Sequence, residues 1–127
     1  MFCETKDMSR ETLKSFGLSF NPFKALVAPR PIGWISAMDK VGRINLSPYS
    51  FFNMLNTRPA LVYFASEGMK DAISFVAETR EFVCNLATYD LRESMNASSA
   101  PLPRGENEFI HAGLEMAPSR LVKAPRV

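Results

Sequence analysis

The sequence predicts a mainly β domain, a small antiparallel barrel with helices to one side. The chain has 127 residues, enough for a single domain with a substantial core. Its hydrophobic patterns follow the order strand, strand, strand, helix, strand, helix, and the first two strands are close enough in sequence to form a hairpin. Four strands cannot close a barrel, so we expect open sheet edges that another element or chain must cover.

Two short helices are predicted before the first strand. They span residues 9–16 and 21–26, with Ser9 and Asn21 as their N-caps. The first strand, Ile32 to Met38, follows two prolines that favour an extended chain.

The second strand, Arg43 to Ser47, is predicted to pair with the first across a turn in which Gly42 adopts positive φ. Pro48 should end this strand, because proline has no N–H to donate to a ladder. The third strand, residues 60–65, is almost continuously apolar, as expected for a strand covered on both faces. Periodicity predicts the later elements as a helix at 70–79, a strand at 81–86, a helix at 91–97 and a short helix at 109–112.

Composition excludes several classes of protein. Hydrophobic residues make up 46% of the chain and charged residues 22%, values of an ordinary globular domain. The net charge of +2 is spread along the chain, whereas a nucleic-acid binder would show a basic stripe. No apolar run approaches the roughly 20 residues of a membrane helix, and the N-terminus has no apolar signal core, so we expect a cytoplasmic protein without a membrane partner.

The metal-ligating and nucleophilic residues are few. Cys3 and Cys84 lack metal-ligand spacing, and with His111 as the one histidine we expect neither a zinc site nor a Ser-His-Asp arrangement. Both cysteines are expected to be free thiols, with Cys84 buried as a small hydrophobe and His111 on the surface. We therefore assign no catalytic side chain.

Residues 43–53, R-I-N-L-S-P-Y-S-F-F-N, combine hydroxyls, amides and three aromatic rings directly after a strand. This chemistry suits a flat ligand with a polar edge and apolar faces. The alternative is a loop that folds back on the core, with Phe51 and Phe52 buried and the serines making local turn hydrogen bonds.

Several residues outside this stretch are candidates for ligand contact. Ser66 and Lys70 precede a helix, whose free N–H groups and partial positive charge would suit a phosphate; the alternative is a solvated lysine. Arg30 lies between two prolines and could hold an anion, or it could simply be exposed or paired with a carboxylate. Trp34 could stack on a ring system or belong to the core.

Five segments in order resemble the flavin reductase-like proteins. These are FMN-binding split-barrel proteins that include flavoredoxin and the reductase components of two-component flavoprotein oxygenases. The segments are A-P-R-P-I-G-W-I-S, G-R-I-N-L-S-P-Y-S-F-F-N, P-A-L-V-Y-F-A-S, K-D before an apolar helix, and E-F-V-C-N-L.

The resemblance implies an FMN-binding split β-barrel that forms a homodimer, with the flavin ring near residues 45–53 and its phosphate near Ser66 and Lys70. Many relatives carry a hydroxyl residue where this chain has Ala72, and relatives continue past Val127 through the strands that finish the barrel. The chain is thus expected to be a single domain over residues 1–127, the N-terminal portion of the family domain. The candidate cofactor-binding residues are Arg30, Trp34, Ser36, Asn45, Ser47, Ser50, Phe51, Phe52, Asn53, Ser66 and Lys70.

The function that the resemblance implies is an FMN-binding oxidoreductase. A donor such as NAD(P)H would reduce the flavin, which would pass electrons to a flavin-dependent oxygenase or another acceptor. The protein would contribute positioning and electrostatics, since the cofactor carries the chemistry. Two alternatives stay open: an FMN-holding electron carrier without a nicotinamide site, and a dimerising barrel fragment that binds no flavin.

Overall fold

A computed structural model of the chain describes residues 10–20 and 22–127, which divide into two units at residue 30. The first unit contains α1 (Arg10–Ser15) and α2 (Phe23–Leu26), close to the two predicted helices. The predicted N-caps Ser9 and Asn21 lie outside the described residues.

The second unit, residues 31–127, contains the strands. The described residues include five strands, one more than the sequence predicts. In chain order the elements are β1 (Gly33–Met38), β2 (Ile44–Tyr49), β3 (Phe52–Thr57), β4 (Ala60–Phe64), α3 (Asp71–Thr79), β5 (Val83–Asn85), a 3-10 turn (Tyr89–Leu91), α4 (Arg92–Ala97) and α5 (Glu108–His111).

The strands form two antiparallel sheets. One has the order β2-β1-β5, with Trp34 opposite both Pro48 and Asn85, and the other is the hairpin β3–β4. Gly42 in the β1–β2 turn has φ +90°, as its predicted role requires. Neither sheet closes on itself.

The prediction that Pro48 ends the second strand is wrong. β2 continues through Pro48 to Tyr49, opposite β1. In the described sheet β1 is the one partner of β2, and proline is tolerated on such an edge because its nitrogen can face away from the partner strand. The predicted loop after Pro48 is correspondingly short, and β3 already begins at Phe52.

Two predictions of burial are also wrong. β4 is not covered on both faces, since Leu61, Val62 and Tyr63 are all exposed. In β5, Cys84 is an exposed free thiol and Asn85 is buried. The Asn85 amide donates to Trp34 O and Ser36 Oγ, both at 3.1 Å, so these hydrogen bonds draw the polar residue inward and turn Cys84 outward.

The core lies on both faces of the three-stranded sheet. Neighbouring residues of β1 point to opposite faces, and each face is covered by a helix. Trp34, Leu46 and Phe109 of α5 form one cluster, and Ile35, Tyr49 and Ala72 of α3 form the other. The two clusters fix α3 and α5 against β2, and this places the starts of both helices beside its polar residues.

Candidate functional site

A cleft of about 380 Å³ opens beside β2, at the start of α3. It brings together Asn45, Ser47 and Lys70 from the predicted site. Its volume falls within the range of roughly 300–1,000 Å³ typical of small-molecule sites. The lining residues are Asn45, Ser47, Pro48, Tyr49, Lys70, Asp71, Ser99, Ala100, Pro101, Leu102, Arg104 and Glu108.

Glu108, the first residue of α5, is a buried carboxylate on the wall of this cleft. It accepts hydrogen bonds from Asn45 Nδ2 at 2.6 Å and from Leu46 N at 2.9 Å. Burial raises the pKa of Glu108, the hydrogen bond from Leu46 opposes this, and the nearby Asp71 adds to it. The Asn45 amide is thus directed at Glu108, and its Oδ1 accepts a long 3.5 Å hydrogen bond from Ser47 Oγ.

The cations of the cleft are Lys70, at the start of α3, and Arg104, in the segment before α5. Lys70 is the exposed N-cap of α3, in extended conformation, and makes no capping hydrogen bond with its side chain. Asp71 accepts from Gly105 N at 2.8 Å and lies 3.5 Å from Arg104 Nε, which ties the segment before α5 to α3. Among the described residues no carboxylate pairs with Lys70, so its charge faces the cleft and solvent.

Tyr49 also lines the cleft; it lies within the predicted stretch 45–53 but is not among the individually named candidates. Its side chain is 6% exposed and packs against the ring of Phe64 at 5.1 Å between centroids. Burial raises the pKa of Tyr49 to about 12, and the nearby Glu108 carboxylate adds to this. The hydroxyl is buried, and a hydrogen bond with the Ser47 side chain partly offsets the rise in its pKa. The phenol is therefore neutral.

The signal for Tyr49 is present in the sequence. Residues 45, 47 and 49 share one face of a strand with period two, but ending the strand at Pro48 removes Tyr49 from that series. Arg104 and Glu108 carry no comparable signal, because they come from a segment whose position depends on long-range packing.

Trp34 and Ser36 lie in the core and not in the cleft. Trp34 is fully buried, and its indole Nε1 donates to Ser98 Oγ at 2.9 Å, which agrees with the core alternative for this residue. Ser36 is also fully buried; its hydroxyl donates to Pro125 O and accepts from Asn85 Nδ2.

The residues after β2 do not line this cleft. Ser50, Phe51 and Phe52 are half-buried, and Asn53 is exposed with its Oδ1 accepting from Met54 N at 2.8 Å. Phe52 instead lines a second cleft of about 480 Å³, which is mostly apolar. That cleft is formed by Ile32, Phe52, Cys84, Asn85, Leu86, Ala87 and Met95.

Ser66 is not among the residues that line the cleft, and Arg30 belongs to the first unit of the chain. The Ser66 hydroxyl is buried and has no hydrogen-bond partner among the described residues. Arg30 Nη1 donates to the carbonyls of Lys24 and Val27 near the end of α2.

Neither a membrane span nor a metal centre is found in the described part of the chain. None of the described helices is long and apolar enough to cross a bilayer. No group of three or more His, Cys, Asp or Glu side chains among the described residues could hold a metal ion.

The model of the family described as flavin reductase like domain matches residues 26–127. The chain belongs to the flavin reductase-like family. Among curated relatives, an uncharacterized protein of Aquifex aeolicus is 39% identical over 80% of this chain and 55% of its own length. A Deinococcus radiodurans protein is 36% identical over 81% of this chain and 49% of its own length. The chain thus spans about half the length of the curated relatives it matches.

Several solved structures share this fold. Nitrilotriacetate monooxygenase component B from Bacillus cereus is 25% identical, with a TM-score of 0.77 over 98% of this chain and 61% of that one. The 2-nitrobenzoate 2-nitroreductase of Pseudomonas fluorescens is 26% identical, with a TM-score of 0.73 over 84% of this chain and 55% of that one. Flavoredoxin of Desulfovibrio vulgaris, at 16% identity and a TM-score of 0.71 over 78% of this chain and 54% of that one, shows the fold alone. A flavin reductase with a split barrel domain from Shewanella frigidimarina, at 23% identity and a TM-score of 0.71 over 76% of this chain and 48% of that one, also shows the fold. The predicted split-barrel fold is confirmed, with sheets that form part of a barrel.

Proposed function

We propose that this chain is the FMN-binding part of a flavin reductase-type oxidoreductase. The observation that carries the proposal is the cleft in which polar residues of β2 meet Lys70 at the uncapped start of α3. Membership of the flavin reductase-like family supports a flavin ligand, and the cleft chemistry favours FMN among flavins.

The charges that line the cleft favour FMN. A phosphate monoester is a compact anion that binds well to lysine, arginine and free helix N–H groups. Lys70 and Arg104 line the cleft with the first turn of α3, although Asp71 partly neutralises Arg104. Lys70 is then the main cation for the phosphate, and riboflavin, which lacks this group, should bind less tightly.

The proposed ring contacts lie nearer the end of β2. Ser47 lines the cleft, and Ser50 to Asn53 follow it within a few residues. Backbone N–H groups and hydroxyls there would serve the polar edge of the isoalloxazine. Phe51 and Phe52 do not line this cleft and are not among the proposed ring contacts. Because Trp34 and Ser36 are fully buried, they would support this region and not touch the ligand.

Bound flavin would supply hydride and electron transfer, and the chain's own residues would bind and orient it. We propose NAD(P)H as the donor and a flavin-dependent oxygenase or similar protein as the acceptor. The likeness to a monooxygenase component at 25% identity supports an oxygenase partner, and the likeness to a nitroreductase at 26% supports reduction as the reaction.

The test is flavin titration of the purified 127-residue chain, followed by fluorescence quenching, with FMN, FAD and riboflavin compared. We expect FMN to bind most tightly, and NADH or NADPH to bleach the flavin absorption under anaerobic conditions. Binding without bleaching would support the electron carrier in place of the reductase. Absence of flavin binding by a folded chain would overturn the proposed function.

A further inference from the structure

Residues 99–105, which we call the strap, form one wall of the cleft. The strap residues that line it are Ser99, Ala100, Pro101, Leu102 and Arg104. The strap runs from α4 to α5, and the core holds the chain at both of its ends. Ser98, before the strap, is buried and accepts a hydrogen bond from Trp34 Nε1, and Phe109, after it, is fully buried. The strap therefore spans the side of the cleft between two fixed points.

Between these points the strap is tied to α3 by one side chain, that of Asp71. Asp71 Oδ2 accepts a hydrogen bond from Gly105 N at 2.8 Å, and Asp71 Oδ1 lies 3.5 Å from Arg104 Nε. Among the described residues, no strap side chain belongs to either core cluster, and the other hydrogen bonds of the strap are local. The Arg104 side chain is 63% exposed, so its ion pair contributes less than the hydrogen bond to Gly105.

The composition of the strap suits a segment that moves as a unit. Pro101 and Pro103 each fix one φ angle, and neither has an N–H to donate to a neighbouring element. Gly105 has φ +84°, and a Cβ there would lie 3.2 Å from Arg43 Cδ. Glycine at this position therefore lets the backbone N–H approach Asp71 closely.

We propose that Asp71 is a positioning residue that holds the strap closed along the cleft, and that a bound flavin leaves when this contact opens. For the ligand the inference rests on the proposed flavin function, and it adds a residue that acts through the strap. An open strap removes five lining residues from the cleft wall, so contacts are lost whether or not the flavin carries a phosphate. Lys70, by contrast, acts on the phosphate.

The strength of the contact suits a strap that opens without unfolding of the core. A hydrogen bond to a charged group shifts an equilibrium by roughly 10- to 100-fold. The Asp71 side chain is 20% exposed, so water competes for it and the lower end of this range applies. The strap is then closed most of the time, and its opening limits the rate of flavin release.

The first test follows opening with trypsin, which cleaves after arginine and acts on a segment that has opened, so the Arg104–Gly105 bond reports the strap. Asp71→Ala should raise the cleavage rate at this bond about 10-fold. Asp71→Asn should raise it roughly 3-fold, since asparagine keeps an acceptor for Gly105 N and loses the charge. Cleavage at Lys40–Val41, in the β1–β2 turn, should be unchanged and serves as the internal reference for global unfolding.

The second test measures flavin dissociation by stopped-flow fluorescence. Asp71→Ala should release FMN and riboflavin equally, each about 10-fold faster than the wild-type chain does. Bound FMN should in turn slow wild-type cleavage at Arg104–Gly105, because a ligand of the closed state lowers the population of the open one.

The matched control is Asp90→Ala. Asp90 is exposed in the 3-10 turn before α4 and does not line the cleft. The same chemical change there should leave the cleavage rates and flavin release at wild-type values.

Four results would overturn the inference. Unchanged cleavage at Arg104–Gly105 in Asp71→Ala would show that Asp71 does not hold the strap, and an equal rise at Lys40–Val41 would show global unfolding. Faster release of FMN alone would assign Asp71 to the phosphate, and faster cleavage with unchanged flavin release would show that the strap does not limit exchange. If the wild-type chain binds no flavin, the proposed function fails and the role in release with it, while the cleavage rates still decide whether Asp71 holds the strap.

Discussion

Lys70 and Glu108 line the same cleft but differ in their exposure to solvent. Lys70 is exposed at the start of α3, whereas Glu108 is 7% exposed and its carboxylate accepts hydrogen bonds from Asn45 and Leu46. The lysine is thus available to a ligand, while the glutamate mainly organises β2. The two residues give separate predictions, one for binding and one for stability.

Replacing Lys70 with alanine should weaken FMN binding by about 1–3 kcal/mol, the range for a lost hydrogen bond to a charged group. Riboflavin has no phosphate, so its affinity should barely change. Isothermal titration of both ligands measures the difference. Lys40→Ala, an exposed lysine in the β1–β2 turn, is the control and should change neither affinity. Equal weakening of FMN and riboflavin in the Lys70 variant would remove this residue from the phosphate site.

Glu108 should make the folded state less stable as pH rises. Burial raises its pKa in the folded protein above the usual value of 4.5, so the folded state holds the proton more strongly than the unfolded chain. Glu108 therefore contributes its full stabilisation at pH values below its pKa in the unfolded chain. This contribution is lost as the pH rises from there through its pKa in the folded protein. Urea unfolding of wild type and Glu108→Gln between about pH 4 and 8 tests this, since the variant cannot titrate here.

The stability of wild type relative to Glu108→Gln should decline over that interval. The difference in the free energy of unfolding between the two proteins removes the contribution of other acids, such as Asp39, whose pKa is lowered. Burial of Asp39 opposes ionisation there, but hydrogen bonds from Arg43 and the backbone outweigh it. A difference that stays constant, or grows with pH, would contradict the prediction.

At the scale of elements, β1 and β3 meet at a glycine. A Cβ built on Gly33 would lie 2.4 Å from Phe52 Cδ2 and 3.1 Å from Phe52 Cβ. Gly33 thus lets the first residue of β3 pack directly on the backbone of β1, and this contact helps to set the short connection after β2.

Gly33→Ala should destabilise the protein by roughly 1–3 kcal/mol, the usual cost of overpacking, because the Phe52 ring must move. Chemical unfolding measures the cost. In a Phe52→Ala background the same substitution should cost much less, since the clashing ring is gone. The same cost in both backgrounds would mean that the strain at Gly33 has another source.

At the scale of the whole molecule, the β3–β4 hairpin exposes an apolar surface. The residues that form it are Met54, Leu55, Leu61, Val62 and Tyr63, which are 42–64% exposed. Each strand of the hairpin has one partner among the described strands, and an isolated two-stranded sheet is marginal in water. We propose that this surface contributes to a homodimer, which would bury above about 2,000 Å² in total if it is obligate.

The pair Met54→Lys and Val62→Lys should convert that dimer to a monomer. Met54 and Val62 lie directly opposite each other in the hairpin register, so both lysines fall on one face. Light scattering after size exclusion, at micromolar concentration, measures the mass. Val41→Lys, at a 79% exposed position in the β1–β2 turn, is the control. A folded wild-type monomer, or a dimer that survives both lysines, would contradict the proposal.

Local sequence patterns predict much of the secondary structure correctly. Hydrophobic periodicity placed β1 and α3 within one residue of their observed ends, and Gly42 marked the turn between β1 and β2. The same reasoning failed at Pro48, because a missing N–H matters only if the partner strand needs it. Sheet topology decides which edge of a strand lacks a hydrogen-bonding partner, and the local sequence pattern does not contain this information.

The candidate site, too, could be predicted from the sequence only in part. Strand periodicity and the helix-start pattern predict the β2 hydroxyls, the Asn45 amide and Lys70. The burial of Trp34 and Ser36 depends on packing that sequence patterns do not contain, and so does the position of Glu108, 63 residues after Asn45, on the cleft wall. Periodicity specifies which residues share a face, but the partner of that face depends on packing between distant segments.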